Sequence, residues 1–220
     1  MHKGSSQLII TFLFLFIQCK NNPQVEIQSG IGSSDLETYD YRIIEPMNAD
    51  SSINAIIEIP AGSLEKWEMD KSSGVIRRDS IDNLPRTINF LGYPANYGMI
   101  PKTLLSKKNG GDGDPLDIIV IGPAVDRGTI LPCHLIGVLY LKDNGEQDDK
   151  LLAISSHSLM KNIRDITELK KEYPGAIEIL ELWFTSYKGK DKMMLEGVGN
   201  KKEASRILTL SMKQYLDAFE

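Results

Sequence analysis

The segment Gly110-Gly111-Asp112-Gly113-Asp114-Pro115-Leu116-Asp117-Ile118 places three carboxylates within six residues. Three like charges this close repel one another unless each faces water separately or a cation neutralises them. Mg²⁺ is the natural candidate, because it is a hard ion that prefers carboxylate oxygens. The alternative is a solvated acidic turn. A calcium EF-hand loop is excluded, because the glycine after the third acidic ligand and the downstream bidentate glutamate are missing.

A second acidic group, Asp143-Asn144-Gly145-Glu146-Gln147-Asp148-Asp149, follows an apolar run that ends at Leu141, and Lys150 comes next. The two acidic groups flank a predicted pair of strands. A hairpin-like arrangement would bring both to one rim and assemble enough carboxylates for more than one metal ion. The alternative is an ordinary charged hairpin loop.

Cations and phenols accompany these acids. Lys66 and Glu68 stand two apart on an alternating strand and therefore point to one face. Arg86, Tyr97 and the pair Tyr187-Lys188 add further donors. Mg²⁺ held by carboxylates and opposed by such donors is typical of phosphoryl transfer, because the donors neutralise the oxygens as charge moves. Taken singly, each of these side chains is more often a surface or packing residue.

Hydrophobic periodicity predicts strands first and helices last, without regular βαβ alternation. This order indicates an α+β fold with an antiparallel sheet. The predicted strands are Ile53–Ile59, Leu64–Met69, Asp117–Ile121, Ile130–Leu141 and Leu151–Ile154, and the predicted helices are Leu159–Tyr173, Gly175–Tyr187 and Glu203–Phe219. The expected core faces of the last two helices are Ile177, Leu180, Trp183 and Phe184, and Ile207, Leu210, Tyr215 and Phe219.

The amino-terminal region has the pattern of an export signal. The apolar run Leu8–Ile17 is about half the length needed to span a bilayer, which favours a signal over residues 1–18. Cys19 ends the run as in bacterial lipoproteins, where this cysteine carries the lipid anchor, although Gln18 replaces the usual small residue. Ordinary export and a retained leader on a cytoplasmic protein are the alternatives. Residues 19–52 are predicted to be a flexible tether, and residues 53–220 the domain.

Composition excludes several classes of protein. With 41% hydrophobic and 25% charged residues the chain is globular, and with 25 basic against 30 acidic residues it lacks the excess that nucleic-acid binding requires. Residues 110–149 hold eight acids against two bases, so the negative surplus lies in the region of the proposed metal site. The second cysteine, Cys133, is expected to be a buried small hydrophobe.

The chain resembles the family I soluble inorganic pyrophosphatases from about Ile56 to its carboxyl terminus. The run D-G-D-P-L-D-I at Asp112–Ile118 fits that family's signature at every position. Further blocks occur in the family's order: Ile57–Pro60, Lys66–Lys71, Tyr93–Gly98, Asp143–Lys150 and Tyr187-Lys188.

The resemblance implies a small five-stranded antiparallel, OB-like β-barrel with carboxyl-terminal helices packed on it. It also implies a homo-oligomer that hydrolyses pyrophosphate with Mg²⁺ through a metal-activated water, without a covalent intermediate. The implied metal ligands are Asp112, Asp117, Asp143 and Asp148; the general base is Asp114; Glu58 and Glu68 orient metal-bound waters; Lys66, Arg86, Tyr97, Tyr187 and Lys188 hold the phosphates; and Lys150 supports them.

The chain departs from the family pattern between Gly74 and Tyr93, where it is several residues longer and lacks the expected Asp-Arg pair. Arg86 is the candidate for the arginine of this pair because of its distance along the chain from Tyr93, and Arg78 is the alternative.

Two other functions compete with pyrophosphate hydrolysis. A haloacid-dehalogenase-type phosphatase would use Asp112 and Asp114, but Leu116 stands where that motif needs Thr or Val. A lipid-anchored binding protein would keep the fold with weak or no catalysis.

Overall fold

The computed structural model describes residues 39–109 and 111–219. Within these ranges the helices are concentrated in the carboxyl-terminal part as expected, but one strand, Met193–Asn200, lies between the last two helices. The strands are β1 (Ile53–Ile59), β2 (Trp67–Met69), β3 (Ile76–Arg78), β4 (Ser80–Ile81), β5 (Leu84–Pro85), β6 (Asn96–Ile100), β7 (Leu116–Ile121), β8 (Ile130–Asp143), β9 (Glu146–Gln147), β10 (Lys150–Ser155) and β11 (Met193–Asn200). The α-helices are α1 (Ile166–Glu172), α2 (Ala176–Ser186) and α3 (Lys201–Phe219).

Seven of these strands form one mixed sheet. Its order is β1-β6-β7-β10-β8-β11, with β9 paired to β8, and β1 pairs with β8 as well as with β6. The ladders therefore link β1, β6, β7, β10 and β8 in a ring. Two short hairpins, β2-β3 and β4-β5, lie outside this sheet.

The prediction of a wholly antiparallel sheet is wrong at one pair of strands, since β7 and β10 run parallel. The long strand β8 carries the chain back between them, and β10 then runs antiparallel to β8. As a result β10 has the same direction as β7, and Lys150 lies opposite Asp117 in the register. The parallel pairing of β7 and β10 therefore places the first acidic group, which contains Asp117, beside the end of the second, which Lys150 follows.

The predicted boundaries of the strands hold for β1 and shift by one or two residues for β7, β8 and β10. The predicted strand Leu64–Met69 is ordered as a strand only over β2, because it pairs there with the short β3. Strand β11 was missed, since its glycines weaken the strand signal. Gly199 is needed there, because a Cβ at this position would lie 2.6 Å from the side chain of Val138.

The helices agree with the sequence to different degrees. In α2 the predicted face of Ile177, Leu180, Trp183 and Phe184 is buried, which confirms that prediction. In α3 the predicted stripe is wrong at Leu210 and Phe219, which are exposed, whereas Ile207 packs against the core; the buried residues are Ala204, Leu208 and Ser211. Helix α3 packs on β8, and its buried face combines the small residues Ala204 and Ser211, which the hydrophobic pattern does not register, with Leu208.

Helix α1 is shorter than predicted. Asp165 accepts hydrogen bonds from the N–H groups of Thr167 and Glu168 at 2.8 and 2.9 Å and starts the helix there. Leu159, the predicted first residue, is 97% exposed. None of the helices in the described ranges is long and apolar enough to cross a membrane.

Residues 39–52 pack on the domain, so the predicted tether over 19–52 extends too far. Tyr41 is fully buried and its hydroxyl donates to the carbonyl of Gly128 at 3.2 Å. Arg42 donates to the carbonyl of Ser72 at 2.7 Å. The export signal, Cys19 and residues 20–38 lie outside the described residues. Cys133 is buried as predicted, and burial raises the pKa of its thiol to about 12.

Candidate active site

A network of charged groups around a buried lysine lies where β6, β7 and β10 run side by side. The Lys150 ammonium donates to Asp117 Oδ2 at 2.6 Å and to Asp148 Oδ1 at 2.9 Å, and its side chain is 2% exposed. Tyr97 on β6 donates its hydroxyl to Asp117 Oδ2 at 2.5 Å. One lysine therefore holds two carboxylates in place, and strand register fixes all but Asp148.

The charge states of this network follow from its contacts. Burial works to raise the pKa of Asp117, but the Lys150 charge and the hydrogen bonds from Lys150 and Tyr97 outweigh it and lower that pKa. Burial works to lower the pKa of Lys150, but Asp117 and Asp148 outweigh it and raise it. Burial, followed by the Asp117 charge, raises the pKa of Tyr97 well above its usual value. At neutral pH the network thus contains the Asp117 carboxylate, the Lys150 ammonium and the neutral phenol of Tyr97, whereas burial raises the pKa of Asp148.

The first three residues of the aspartate segment, residues 112–118, form a second wall of the site. Gly113 has φ +87°, a left-handed conformation that glycine adopts without strain, and its N–H donates to the carbonyl of Leu105 at 2.7 Å. The N–H of Asp114 donates to Asp112 Oδ1 at 2.8 Å. The Asp114 carboxylate is 46% exposed and contacts the ammonium of Lys71. Asp114 therefore reaches the site from a loop held by backbone hydrogen bonds.

Glu58 enters the site from β1 and is buried. Its Oε1 accepts a hydrogen bond from the N–H of Met69 at 2.7 Å, which ties β1 to β2. Burial raises the pKa of Glu58 to about 8, although the nearby charge of Lys66 opposes the shift. Lys66 Nζ lies 3.5 Å from Glu68 Oε2, which confirms that these two side chains share a face.

The hairpin β4-β5 determines which arginine reaches the site. Its turn residues Asp82 and Asn83 have φ of 53° and 63°, typical of a tight type I′ hairpin turn. The hairpin returns the chain so that Arg86 Nη1 lies 2.9 Å from Asp79 Oδ2. Arg78 Nη1 instead pairs with Glu65 Oε1 at 2.8 Å. Of the two arginines considered for the phosphate role, the structure places Arg86 in the site.

The end of α2 supplies the last two donors. The Tyr187 ring stacks on Trp183 with centroids 4.6 Å apart, and burial raises the pKa of its phenol. The Lys188 ammonium contacts the carboxylate of Asp143 at the end of β8. The second acidic group therefore reaches the same rim as the first.

These elements surround one polar cavity of about 350 Å³. Every site residue assigned through the family resemblance, apart from the lipidation residue Cys19, lines it: Glu58, Lys66, Glu68, Arg86, Tyr97, Asp112, Asp114, Asp117, Asp143, Asp148, Lys150, Tyr187 and Lys188. Four other lining residues were not assigned from the sequence: Met69, Lys71, Met99 and Pro115. Lys71 ends the block Lys66–Lys71, and that proximity was the available signal for it.

The donor set of the cavity suits a hard divalent cation. Its acidic side chains offer carboxylate oxygens, the ligands that Mg²⁺ prefers. In the described part of the chain no three His, Cys, Asp or Glu side chains converge as a metal cluster. The carboxylates bond to Lys71, Lys150 and Lys188 instead. The carboxylates thus fit Mg²⁺ by their donor chemistry and by lining one cavity, but the described ones do not form a preassembled cluster of ligands.

The chain is similar to known proteins over most of its length. The family profile described as inorganic pyrophosphatase matches residues 55–216. An inorganic pyrophosphatase of Xylella fastidiosa is 35% identical over 175 residues, which cover 77% of this chain and 93% of that protein. A solved type I inorganic pyrophosphatase from P. falciparum superposes with a TM-score of 0.76 and 28% identity, covering 81% of this chain and 63% of that chain. One from Neisseria gonorrhoeae has a TM-score of 0.66 and 28% identity, covering 80% and 99%.

Proposed function

The chain belongs to the inorganic pyrophosphatase family and is an inorganic diphosphatase, and from this premise we propose that it uses Mg²⁺ and attacks pyrophosphate with water directly. The observation that carries the proposal is that the carboxylates, lysines, arginine and phenols assigned from the sequence line a single cavity. They come from segments as far apart as β1 and the end of α2. Such a convergence is expected if the cavity holds a small, highly charged substrate.

We assign the metal-ligand role to Asp112, Asp117, Asp143 and Asp148, whose oxygens suit Mg²⁺. When bound there, Mg²⁺ would lower the pKa of water and neutralise phosphate charge. The rest of the chemistry belongs to the side chains of the chain. Glu58 and Glu68 face the same cavity and orient water molecules in it.

Asp114 acts as the general base in this proposal. Its half-exposed carboxylate on the loop wall accepts a proton from the attacking water as the water oxygen bonds to one phosphorus. The bond from that phosphorus to the bridging oxygen breaks, and the second phosphate departs with the electron pair. Asp114 then releases the proton to solvent. None of the described residues that line the cavity is a serine, cysteine or histidine.

The cations hold the substrate and receive the charge that develops on the leaving phosphate. Lys66, Arg86 and Lys188 supply fixed positive charge, while the phenols of Tyr97 and Tyr187 stay neutral beside the substrate because burial raises the pKa of each. Lys150 holds Asp117 and Asp148 in place. Catalysis then rests on positioning and electrostatic stabilisation, as phosphoryl transfer requires.

Phosphate release from pyrophosphate tests this proposal. We expect release in Mg²⁺, loss of release in excess EDTA with recovery on adding Mg²⁺, and no hydrolysis of p-nitrophenyl phosphate. Equal hydrolysis of both compounds would favour the phosphomonoesterase alternative instead. The lipid-anchored binding protein has no support, because the related proteins described above are named as pyrophosphatases.

We also propose that the protein is exported and carries a lipid on Cys19. The support is the sequence alone, namely the apolar run Leu8–Ile17 and the cysteine that follows it. Palmitate labelling of the wild-type protein and of Cys19→Ala tests this: label in the wild type only is the expected result. Label in neither protein would favour ordinary export or a cytoplasmic location.

Two further proposals concern closure of the sheet and self-association. We propose that β1, β6, β7, β10 and β8 close as a small barrel, supported by the pairing of β1 with both β6 and β8. We propose that the protein self-associates, supported by the exposed apolar side chains Ile179 and Leu182 on α2. The molar mass of the purified chain from light scattering tests the second proposal.

A further inference from the structure

The two strands at the base of the β4-β5 hairpin meet the segment that carries Lys66. The N–H of Lys66 donates to the carbonyl of Arg86 at 3.2 Å, and the N–H of Asp79 donates to the carbonyl of Lys66 at 3.0 Å. The N–H of Arg86 donates to the carbonyl of Asp79 at 2.8 Å. These three backbone bonds form a closed triangle in which Asp79 touches both cation-bearing residues.

The Asp79 side chain adds a fourth contact to this triangle. Its Oδ2 lies 2.9 Å from Arg86 Nη1, and the side chain is only 16% exposed. A partly buried carboxylate on an arginine forms a charge-assisted hydrogen bond, which is stronger and more directional than a neutral one. The contact restricts the long Arg86 side chain, whose rotamers would otherwise be free, at the wall of the cavity.

Arg78 also contacts the segment that carries Arg86, although its own side chain does not line the cavity. Its Nε donates to the carbonyl of Arg86 at 3.2 Å, and its Nη2 donates to Thr87 Oγ1 at 3.0 Å. The backbone of Arg86 is thus held by Lys66, Asp79 and Arg78, whereas its guanidinium is held by Asp79.

We propose that Asp79 is a positioning residue that fixes the Arg86 guanidinium relative to Lys66, so that the two cations hold pyrophosphate at a set spacing. The inference rests on the proposed function, in which both residues bind substrate. It also explains the missing Asp-Arg pair in the sequence. Asp79 and Arg86 are that pair, separated by the six residues Ser80–Pro85 and brought back together by the hairpin they form.

The test is steady-state kinetics of phosphate release by the full chain. Asp79→Asn keeps the shape of the side chain and removes its charge, so we expect KM to rise about tenfold with kcat within about threefold. Asp79→Ala should raise KM further. Asp82→Asn is the matched control, since Asp82 lies at the exposed tip of the same hairpin, and its KM should equal that of the wild type.

A positioning role is separated from a structural one by repeating the substitution in an Arg86→Ala background. If Asp79 acts through Arg86, Asp79→Asn causes no further rise in KM there. An equal rise in both backgrounds, an unchanged KM for Asp79→Asn or Arg86→Ala, or loss of folded Asp79→Asn protein would each overturn the inference while leaving pyrophosphatase activity of the wild type intact. If the wild type releases no phosphate, the proposed function fails, and calorimetric affinities for pyrophosphate then test Asp79 by the same comparisons.

Discussion

The two walls of the cavity hold their charges in different ways. The strand wall comprises Tyr97, Asp117 and Lys150, which lie on three adjacent strands and bond to one another. The loop wall comprises Asp112, Asp114 and Lys71, which lie on turns and face solvent more. Side-chain exposure is 2% for Lys150 and 59% for Lys71.

This difference follows from the cost of burying charge. A carboxylate that is mostly removed from water needs a fixed counter-charge, and strand register provides one by placing Lys150 opposite Asp117, whose side chain is 27% exposed. A half-exposed carboxylate stays hydrated, so it needs no fixed counter-charge, only a backbone that holds it at the cavity. The strand wall therefore stabilises the fold and holds charge, while the loop wall is free to exchange a proton.

The largest expected effect is on turnover, at the loop wall. Asp114→Asn removes the proposed base, so kcat should fall about 10³-fold, within the range of general base catalysis. Asp126→Asn, an exposed acid outside the cavity, is the control and should keep wild-type kcat. Phosphate release at saturating Mg²⁺ measures both. An unchanged kcat in Asp114→Asn would remove the residue from the mechanism.

The next effect is on stability, at the strand wall. Lys150→Met leaves Asp117 and Asp148 without their shared cation, so the free energy of unfolding should fall by about 3–5 kcal/mol. Urea denaturation in EDTA measures it. In the control Lys142→Met, the lost ion pair with Glu196 is exposed, and the change should stay below about 1 kcal/mol. Similar losses in the two variants would refute the contrast between the walls.

Glu58 gives a pH-dependent effect of intermediate size. Its pKa is about 8 in the folded state because burial disfavours the charged form. The unfolded chain releases this proton near the ordinary value of about 4.3, so the folded state binds more protons between these values and Glu58 lowers stability as pH rises. Glu58→Gln should therefore gain roughly 2–4 kcal/mol over the wild type from pH 5 to pH 8.

Urea denaturation at pH 5, 6.5 and 8, with EDTA present, measures that difference. Glu68→Gln is the matched control, because the Glu68 carboxylate is 54% exposed, and its curve should run parallel to that of the wild type. A Glu58→Gln curve that also parallels the wild type would show that Glu58 is ionised throughout.

The smallest effect concerns the contact between Lys71 and Asp114. Lys71→Met keeps the length of the side chain and removes the ammonium that holds the base, so kcat should fall about tenfold with little change in KM. Lys107→Met, an exposed lysine beside the same loop and outside the cavity, should have no effect. A rise in KM with kcat unchanged would mean that Lys71 binds phosphate instead of holding Asp114.

Much of the loop wall was predictable, because its acids are adjacent in sequence. Asp112 and Asp114 stand within six residues together with Asp117 of the strand wall, and this crowding indicates either a metal site or a solvated acidic turn. Lys71 was not assigned, although it ends the block Lys66–Lys71 that supports the family resemblance. Arg86 was assigned from its distance to Tyr93, and the physical reason for its position is the hairpin that pairs it with Asp79.

The strand wall was less predictable, since it depends on which strands are neighbours. Local patterns located β7 and β10 but carry no information on their relative direction, and the parallel register that joins Lys150 to Asp117 was not foreseen. Strand β11 and the buried face of α3 were missed for a related reason. Glycines and small residues are buried there because the backbones pack closely, and such residues give no signal in a hydrophobic pattern.

The free energies of unfolding of Asp114→Asn and Asp117→Asn, measured side by side without metal, test the division between the walls most directly. Asp114→Asn should stay within about 0.5 kcal/mol of the wild type, as expected for a half-exposed side chain. Asp117→Asn should lose about 1–3 kcal/mol, because Lys150 and Tyr97 lose their charged partner. Equal changes in the two variants would contradict the account.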